Sequence, residues 1–221
     1  MQLTHDMSAQ QPMQAPRAHP QTGWRTCALA ILSIAVMLWV SLAPKTAHAE
    51  AMISVAGGSA SESSAAWRLG VRRPWERRWF NGGSAHLTGY WEASVAHFNN
   101  SSTTPQPGVD ATARLWNVAL APVWRLQFNL NNGRAIVQPF LDLGVGVSFV
   151  SNRSFRSTGR RNRELGSFFQ FEDRGAVGAR IGNWEVAYQR MHFSNLNFAS
   201  DNAGIDAHLL LISRSLFTGR R

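Results

Sequence analysis

The chain has one cysteine, one lysine and two tyrosines among its 221 residues. The cysteine, Cys27, lies at the start of the first apolar run, so an intrachain disulfide is excluded, and so is a thiol nucleophile further along. No second hydrophobic stretch follows that run, and about 18 apolar residues in a row are needed to cross a bilayer as a helix. Because Lys45 is the sole lysine, every later cationic side chain is an arginine, which grips phosphate or carboxylate through a planar fork.

Residues 1–49 read as an export signal. Arg17 and Arg25 supply the positive leading region, residues 28–43 (ALAILSIAVMLWVSLA) the apolar core, and Ala47-His48-Ala49 a small-x-small cleavage site. An uncleaved anchoring helix is the alternative, but Pro44 and the cleavage site follow the core directly. Residues 50–221 are then expected to form a single domain without cysteine. Removing Arg17, Arg25 and Lys45 from the 22 basic residues, and Asp6 from the 13 acidic ones, leaves a net charge of +7. For an exported chain this surplus suits an anionic glycolipid surface better than nucleic acid.

Past residue 50 the apolar residues recur with a period of two. Leu87, Trp91, Ala93 and Val95 alternate with His86, Thr88, Glu92 and Ser94. Trp116, Val118, Leu120, Trp124, Leu126 and Phe128 share one phase over residues 112–128, and Asn117, Arg125 and Gln127 the other. Within that segment Pro122, which has no N–H to donate, predicts a bulge or irregular pairing. The strongest alternation spans 135–149, where Ala135, Val137, Pro139, Leu141, Leu143, Val145, Val147 and Phe149 oppose Gln138, Asp142, Gly144, Gly146 and Ser148. With 52–60, 65–71, 165–181, 184–194 and 205–217, these segments make eight predicted strands.

A soluble sandwich would bury the apolar phase, whereas a membrane barrel turns it to lipid and encloses the polar one. The longest segments run to roughly 14–17 residues, against about five or six in soluble sheets. Trp and Phe gather near strand ends, as an interfacial girdle requires. The expected fold is therefore all-β, an eight-stranded antiparallel transmembrane barrel of the outer membrane. Long connections (99–109, 150–164, 195–204) follow odd strands and short ones (129–133, 182–183) even strands, which puts the long loops outside. The stretch 72–83 is long for an internal turn, so the limits of the first two strands are the least defined.

Two features carry chemistry. The loop 150–164 holds Arg153, Arg156, Arg160, Arg161 and Arg163; it is either a solvated basic loop or, with Arg160 and Arg161 as leading candidates, a contact for glycolipid phosphates. At the outer end of the seventh strand, His192 and Ser194 are two residues apart and so point the same way, in the lipid-facing phase of Trp184, Val186 and Tyr188. Asp206 can return beside them on the next strand. Serine needs a base and the base an orienting acceptor, roles that Ser194, His192 and Asp206 fit; Asn202 could donate to an oxyanion. His-x-Ser alone is a weak motif, and His208, in phase with Asp206, is a competing base. Arg190 reads as a side chain reaching up towards head groups.

Leu87-Thr88-Gly89-Tyr90-Trp91, Phe171-Glu172-Asp173-Arg174, His192-Phe193-Ser194-Asn195 and Asn202-Ala203-Gly204-Ile205-Asp206 together resemble the lipid A 3-O-deacylases of the PagL type. The resemblance covers most of the chain beyond residue 50. It implies an eight-stranded outer-membrane barrel that hydrolyses the 3-position ester of lipid A with no metal or other cofactor. It also implies a triad of His192, Ser194 and Asp206, with Phe171, Asn195 and Asn202 as supporting residues. Two departures stand out: the family's acid is usually glutamate, and a family glycine associated with the oxyanion falls on Asn197.

The leading expectation is a serine esterase acting on lipid A, that is on lipopolysaccharide, in the outer leaflet. It involves membrane but no nucleic acid, and the sequence is silent on oligomeric state. The alternatives are a non-enzymatic structural or adhesion barrel and another acyl-modifying barrel such as a palmitoyl transferase.

Overall fold

The computed structural model describes residues 51–61, 64–81, 83–100, 111–156 and 162–216. Eight strands close into one antiparallel barrel: β1 (Met52–Ala60), β2 (Ser64–Pro74), β3 (Ala85–Asn99), β4 (Arg114–Phe128), β5 (Val137–Val150), β8 (Phe169–Ile181), β9 (Trp184–Ser194) and β10 (Ile205–Ser215). Two-residue strands β6 (Ser154–Phe155) and β7 (Arg163–Glu164) make a small ribbon in the loop between β5 and β8. Pairing of β1 with both β2 and β10 closes the ring and leaves the barrel itself without an edge strand. The expected barrel is what forms, and the two phases divide as expected. Leu141, Leu143, Val145, Val147 and Phe149 face outward while Asp142 and Ser148 are buried inside.

Strand limits differ in small ways. The sixth predicted strand begins at Phe169 rather than at 165, because Gly166 turns the chain with φ +70° and sends Leu165 into the interior. The strand expected from 135 opens at Val137, after a 3₁₀ turn over Leu130–Gly133. At Pro122 the β4–β5 pairing lapses across two residues and resumes in the same register, so the irregularity is a missed rung with no inserted residue. Gly146 lies against this gap, where a Cβ would strike Leu120 O and the Ala121 side chain.

Charged side chains occupy the middle of the interior. There, Arg68, Arg72, Arg125 and Arg174 interlock with Glu92, Asp142, Glu172 and Glu185, all with buried side chains, so four cations meet four anions. Tyr90 Oη donates to Asp142 Oδ2 at 2.8 Å. Above this network, towards the long-loop end, the expectation of small or polar enclosed residues fails. Phe98, Leu115, Val150, Phe155, Leu165, Phe193 and Ile205 form an apolar cap under the loops.

The long internal connection, 75–84, is not a free turn. Trp79 and Leu87 exchange both backbone hydrogen bonds, at 2.8 and 2.9 Å, and Trp75 N–H donates to Gly89 O at 2.8 Å. The connection is thus laid back along β3, with the Trp75 ring over Gly89, where any Cβ would collide with it.

Candidate active site at the outer end of β9

Antiparallel register assembles the site. Asp206 of β10 lies directly opposite His192 of β9, and on the other side β8 places Asp173 opposite His192 and Phe171 opposite Ser194. Directly opposed residues hold their Cβ atoms about 4.5–5.5 Å apart, so a side chain as short as aspartate reaches. His192 Nδ1–H donates to Asp206 Oδ1 at 3.2 Å. That bond fixes the ring so that Nε2 is its free acceptor. Ser194, two residues along, shares the outward phase and is almost wholly covered, at 7% exposure. No hydrogen bond joins Ser194 Oγ to His192; the histidine–aspartate half of a relay is assembled, with the hydroxyl beside it on the same face.

Arg190, expected to reach up towards head groups, also joins the site. Its Nη2 donates to Asp206 Oδ1 at 3.0 Å, the same oxygen that accepts from His192. Strand phase allowed this, since Arg190 and His192 share a face, but the pairing itself depends on the β9–β10 register. His208 is also assigned by register. It lies opposite Arg190, two register positions further from Ser194 than the Asp206–His192 pair, and its Nδ1 shares a 2.5 Å hydrogen bond with Tyr188 Oη. Between His192 and His208, the one bonded to Asp206 is therefore His192.

The turn from 195 to 204 is built around the candidate supporting residues. Asn195 N–H donates to Asn202 Oδ1 at 2.9 Å, and Asn195 Nδ2 donates to Leu165 O and Asp201 O at 2.8 and 2.6 Å. Asn202 is thereby held by its carbonyl, and its Nδ2 donates one hydrogen to Asn197 Oδ1 at 3.0 Å. An amide nitrogen has two hydrogens, so one donor remains for an oxyanion. Asn197 has φ +63°, the left-handed conformation that glycine takes most easily and asparagine better than most others. The glycine-to-asparagine departure thus keeps the backbone path.

Gly204 was not singled out by sequence beyond its place in a motif, yet the ring of His192 rests on it. With φ +58°, a Cβ there would lie 2.7 Å from His192 Cε1 and 3.2 Å from Nε2. Arg163 clamps the same point from the loop, donating from Nη1 to Ala203 O and Gly204 O at 2.9 and 3.0 Å. Gly204→Ala is expected to push the imidazole off Asp206 and to lower any hydrolytic rate by about 100-fold, as a misplacement of about 1 Å can. Assaying ester release beside a folding check separates this from unfolding; unchanged activity in a folded variant would show that the ring has room.

Aromatic side chains line the approach. Phe149, Phe169, Phe171 and Phe198 follow one another with ring centroids 5.4, 5.0 and 5.8 Å apart, and Phe171 lies opposite Ser194. Only Phe171 was singled out beforehand; the outward phase of Phe149 and Phe169 was the available signal for the others. Of the loop arginines, Arg160 and Arg161 lie outside the described residues. Arg156 Nε donates to Ala111 O at 3.1 Å, Arg163 holds Gly204, and exposed Arg153 stacks over Phe168 at 5.4 Å. Two of the five thus tie their loop to the neighbouring connections on either side. Among the described residues no group of three or more His, Cys, Asp or Glu is placed to hold a metal ion.

Residues 63–215 match the family model described as lipid A 3-O-deacylase (PagL). The curated protein lipid A deacylase PagL of Pseudomonas aeruginosa is 28% identical over 181 residues, covering 81% of this chain and 95% of that one. A crystal structure of the outer membrane enzyme PagL superposes with a TM-score of 0.63 at 26% identity, over 75% of this chain and 99% of that one.

Proposed function

The chain belongs to the lipid A 3-O-deacylase (PagL) family, and we propose that it is an outer-membrane esterase that removes the 3-position acyl chain of lipid A through Ser194, His192 and Asp206. The observation that carries this reading is the His192–Asp206 hydrogen bond, which stands on the lipid-facing wall of the barrel on the same side as Ser194. An outer-leaflet ester meets that wall without entering the barrel, whose middle is occupied by charged side chains.

The chemistry follows from the roles. Ser194 Oγ attacks the ester carbonyl while His192 Nε2 takes its proton, and Asp206 holds the imidazolium that forms. The carbonyl oxygen becomes an oxyanion within reach of the second hydrogen of Asn202 Nδ2, oriented by Asn195. When the tetrahedral intermediate collapses, the bond to the sugar oxygen breaks and His192 returns the proton to that oxygen. Water then attacks the acyl-serine with His192 again as base, releasing the fatty acid and restoring Ser194. The fatty chain lies against the Phe149–Phe169–Phe171–Phe198 ladder. Arg190 neutralises and aims the Asp206 carboxylate, which would otherwise face lipid alone. The phosphates of the sugar are assigned to the cationic loop 150–164, in which Arg153 is exposed. Residues 1–49 are the cleaved export signal in this reading, and β1 opens shortly after it at Met52.

The test is a mass measurement. Purified protein in mixed micelles with lipid A is expected to yield a product lighter by one 3-hydroxyacyl chain and a free 3-hydroxy fatty acid, and to leave lipid A already lacking the 3-ester unchanged. Release from the second substrate would move the reaction to a different ester. An unchanged mass for both would leave a barrel without this activity, and a gain in mass would point to acyl transfer onto the lipid.

A further inference from the structure

The barrel end opposite the candidate site carries a second charged surface. Arg73, Arg77, Arg78, Arg134 and Arg214 gather at the short-turn end, and none of them forms an ion pair among the described residues, whereas each buried interior arginine does. In the connection 75–84 the only carboxylate is Glu76. These guanidiniums are set among indoles. Arg77 stands over the Trp79 ring at 5.7 Å and Arg214 over Trp184 at 5.0 Å. Trp75 meets Trp79 and Trp124 edge-on at 6.2 and 5.7 Å, and Trp124 and Trp184 are exposed on the outer wall. The three backbone hydrogen bonds that lay 75–84 along β3 bring this group onto the outside of the barrel instead of under its mouth.

We propose that this rim binds the phosphates of anionic glycerophospholipids in the leaflet opposite the lipid A leaflet, with phosphatidylglycerol-type head groups as the partner. Tryptophan settles at the level of head groups, and arginine held over an indole by cation–π contact presents its remaining N–H donors to a phosphate at that same level. A soluble polyanion would meet the guanidiniums as well, but would gain nothing from outward-facing indoles at the membrane boundary. The proposal does not depend on the esterase reading, because no residue is shared with it.

The test uses the barrel refolded into vesicles of phosphatidylcholine alone or mixed with phosphatidylglycerol, with the variant Arg73→Gln/Arg77→Gln/Arg78→Gln/Arg214→Gln alongside. Tryptophan fluorescence is read with the bromine quencher placed on one lipid or the other. For the unaltered protein, brominated phosphatidylglycerol is expected to quench more than its share of the mixture, and added salt to reduce the excess. Each arginine removed is expected to lower that preference about fivefold. Equal quenching by both lipids, or a preference that survives the four substitutions, would overturn the proposal. If the fourfold variant does not fold, the salt titration of the unaltered protein and the Arg77→Gln and Arg78→Gln single variants decide it by the same readout. A soluble polyphosphate that competes away the preference completely would assign the rim to a soluble partner instead.

Discussion

Ser194→Ala is expected to lower the release of 3-hydroxy fatty acid from lipid A by about 10⁴-fold or more while leaving the barrel folded, and His192→Gln to do nearly the same. Residues that act as one relay are strongly non-additive, so the double variant should be no slower than either alone. Asp206→Asn keeps the size of the acceptor and its place opposite His192, but its amide can present a donor where the Nδ1–H needs an acceptor. A loss of about 10³- to 10⁴-fold is expected there, by analogy with the same change in serine proteases. The readout is the initial rate of acyl release by mass spectrometry, beside heat-dependent gel mobility as the check on folding. Ser194→Ala at full rate would remove Ser194 as nucleophile, and full activity in folded His192→Gln would transfer the base role elsewhere, with His208 the next histidine on the strand pair. Asp206→Asn at full rate would mean that Arg190 and the turn under Gly204 hold the ring unaided.

Much of this arrangement was legible because strand geometry is simple. Period two decides which residues share a wall, so the common phase of Ser194 and His192, the enclosed Glu172 and Arg174, and the outward Phe169 and Phe171 could all be read from spacing. Register could not, because it depends on which residue of β10 lies opposite which of β9. Three facts rest on it: Asp206 meets His192, Arg190 meets His208, and Arg190 bonds the same carboxylate oxygen as His192. Gly204 was opaque for another reason, since its importance lies in what a side chain would strike. The apolar cap was missed because Phe98, Leu115 and Phe193 occupy the enclosed phase, where a membrane barrel is expected to be polar. At the long-loop end that interior is sealed by loops and behaves as the core of a soluble protein. Departures from the family pattern also look different with register in hand. An aspartate directly opposite His192 needs no longer arm, and an asparagine at φ +63° keeps the turn that a glycine would make.

Glu92 is the substitution expected to cost the barrel most. Its side chain is fully enclosed and accepts from Arg68 Nη2 at 3.2 Å, from Arg72 Nε at 2.6 Å and from Arg174 Nη1. Glu92→Gln keeps the shape but removes the charge that three guanidiniums share, and it puts an N–H₂ where one of those donors points. Breaking a buried pair by removing one partner costs about 3–5 kcal/mol, and here Glu185 is already engaged by Arg125 and Arg180, while Glu172, which pairs with Arg68 and lies 3.7 Å from Arg174, would be left to balance both guanidiniums alone. The expected result is a large fall in the urea midpoint of the barrel in vesicles, with a fraction that fails to refold. The surface control Glu76→Gln should stay within about 0.5 kcal/mol of the unaltered protein. A midpoint unmoved in Glu92→Gln would mean that water enters the interior and solvates the guanidiniums in place of the carboxylate. Pairing Glu92→Gln with Arg174→Gln then measures the repair: removing one cation along with the anion restores four-to-four balance less one pair. Part of the lost stability should return if uncompensated charge, rather than lost packing, is what the single change inflicts.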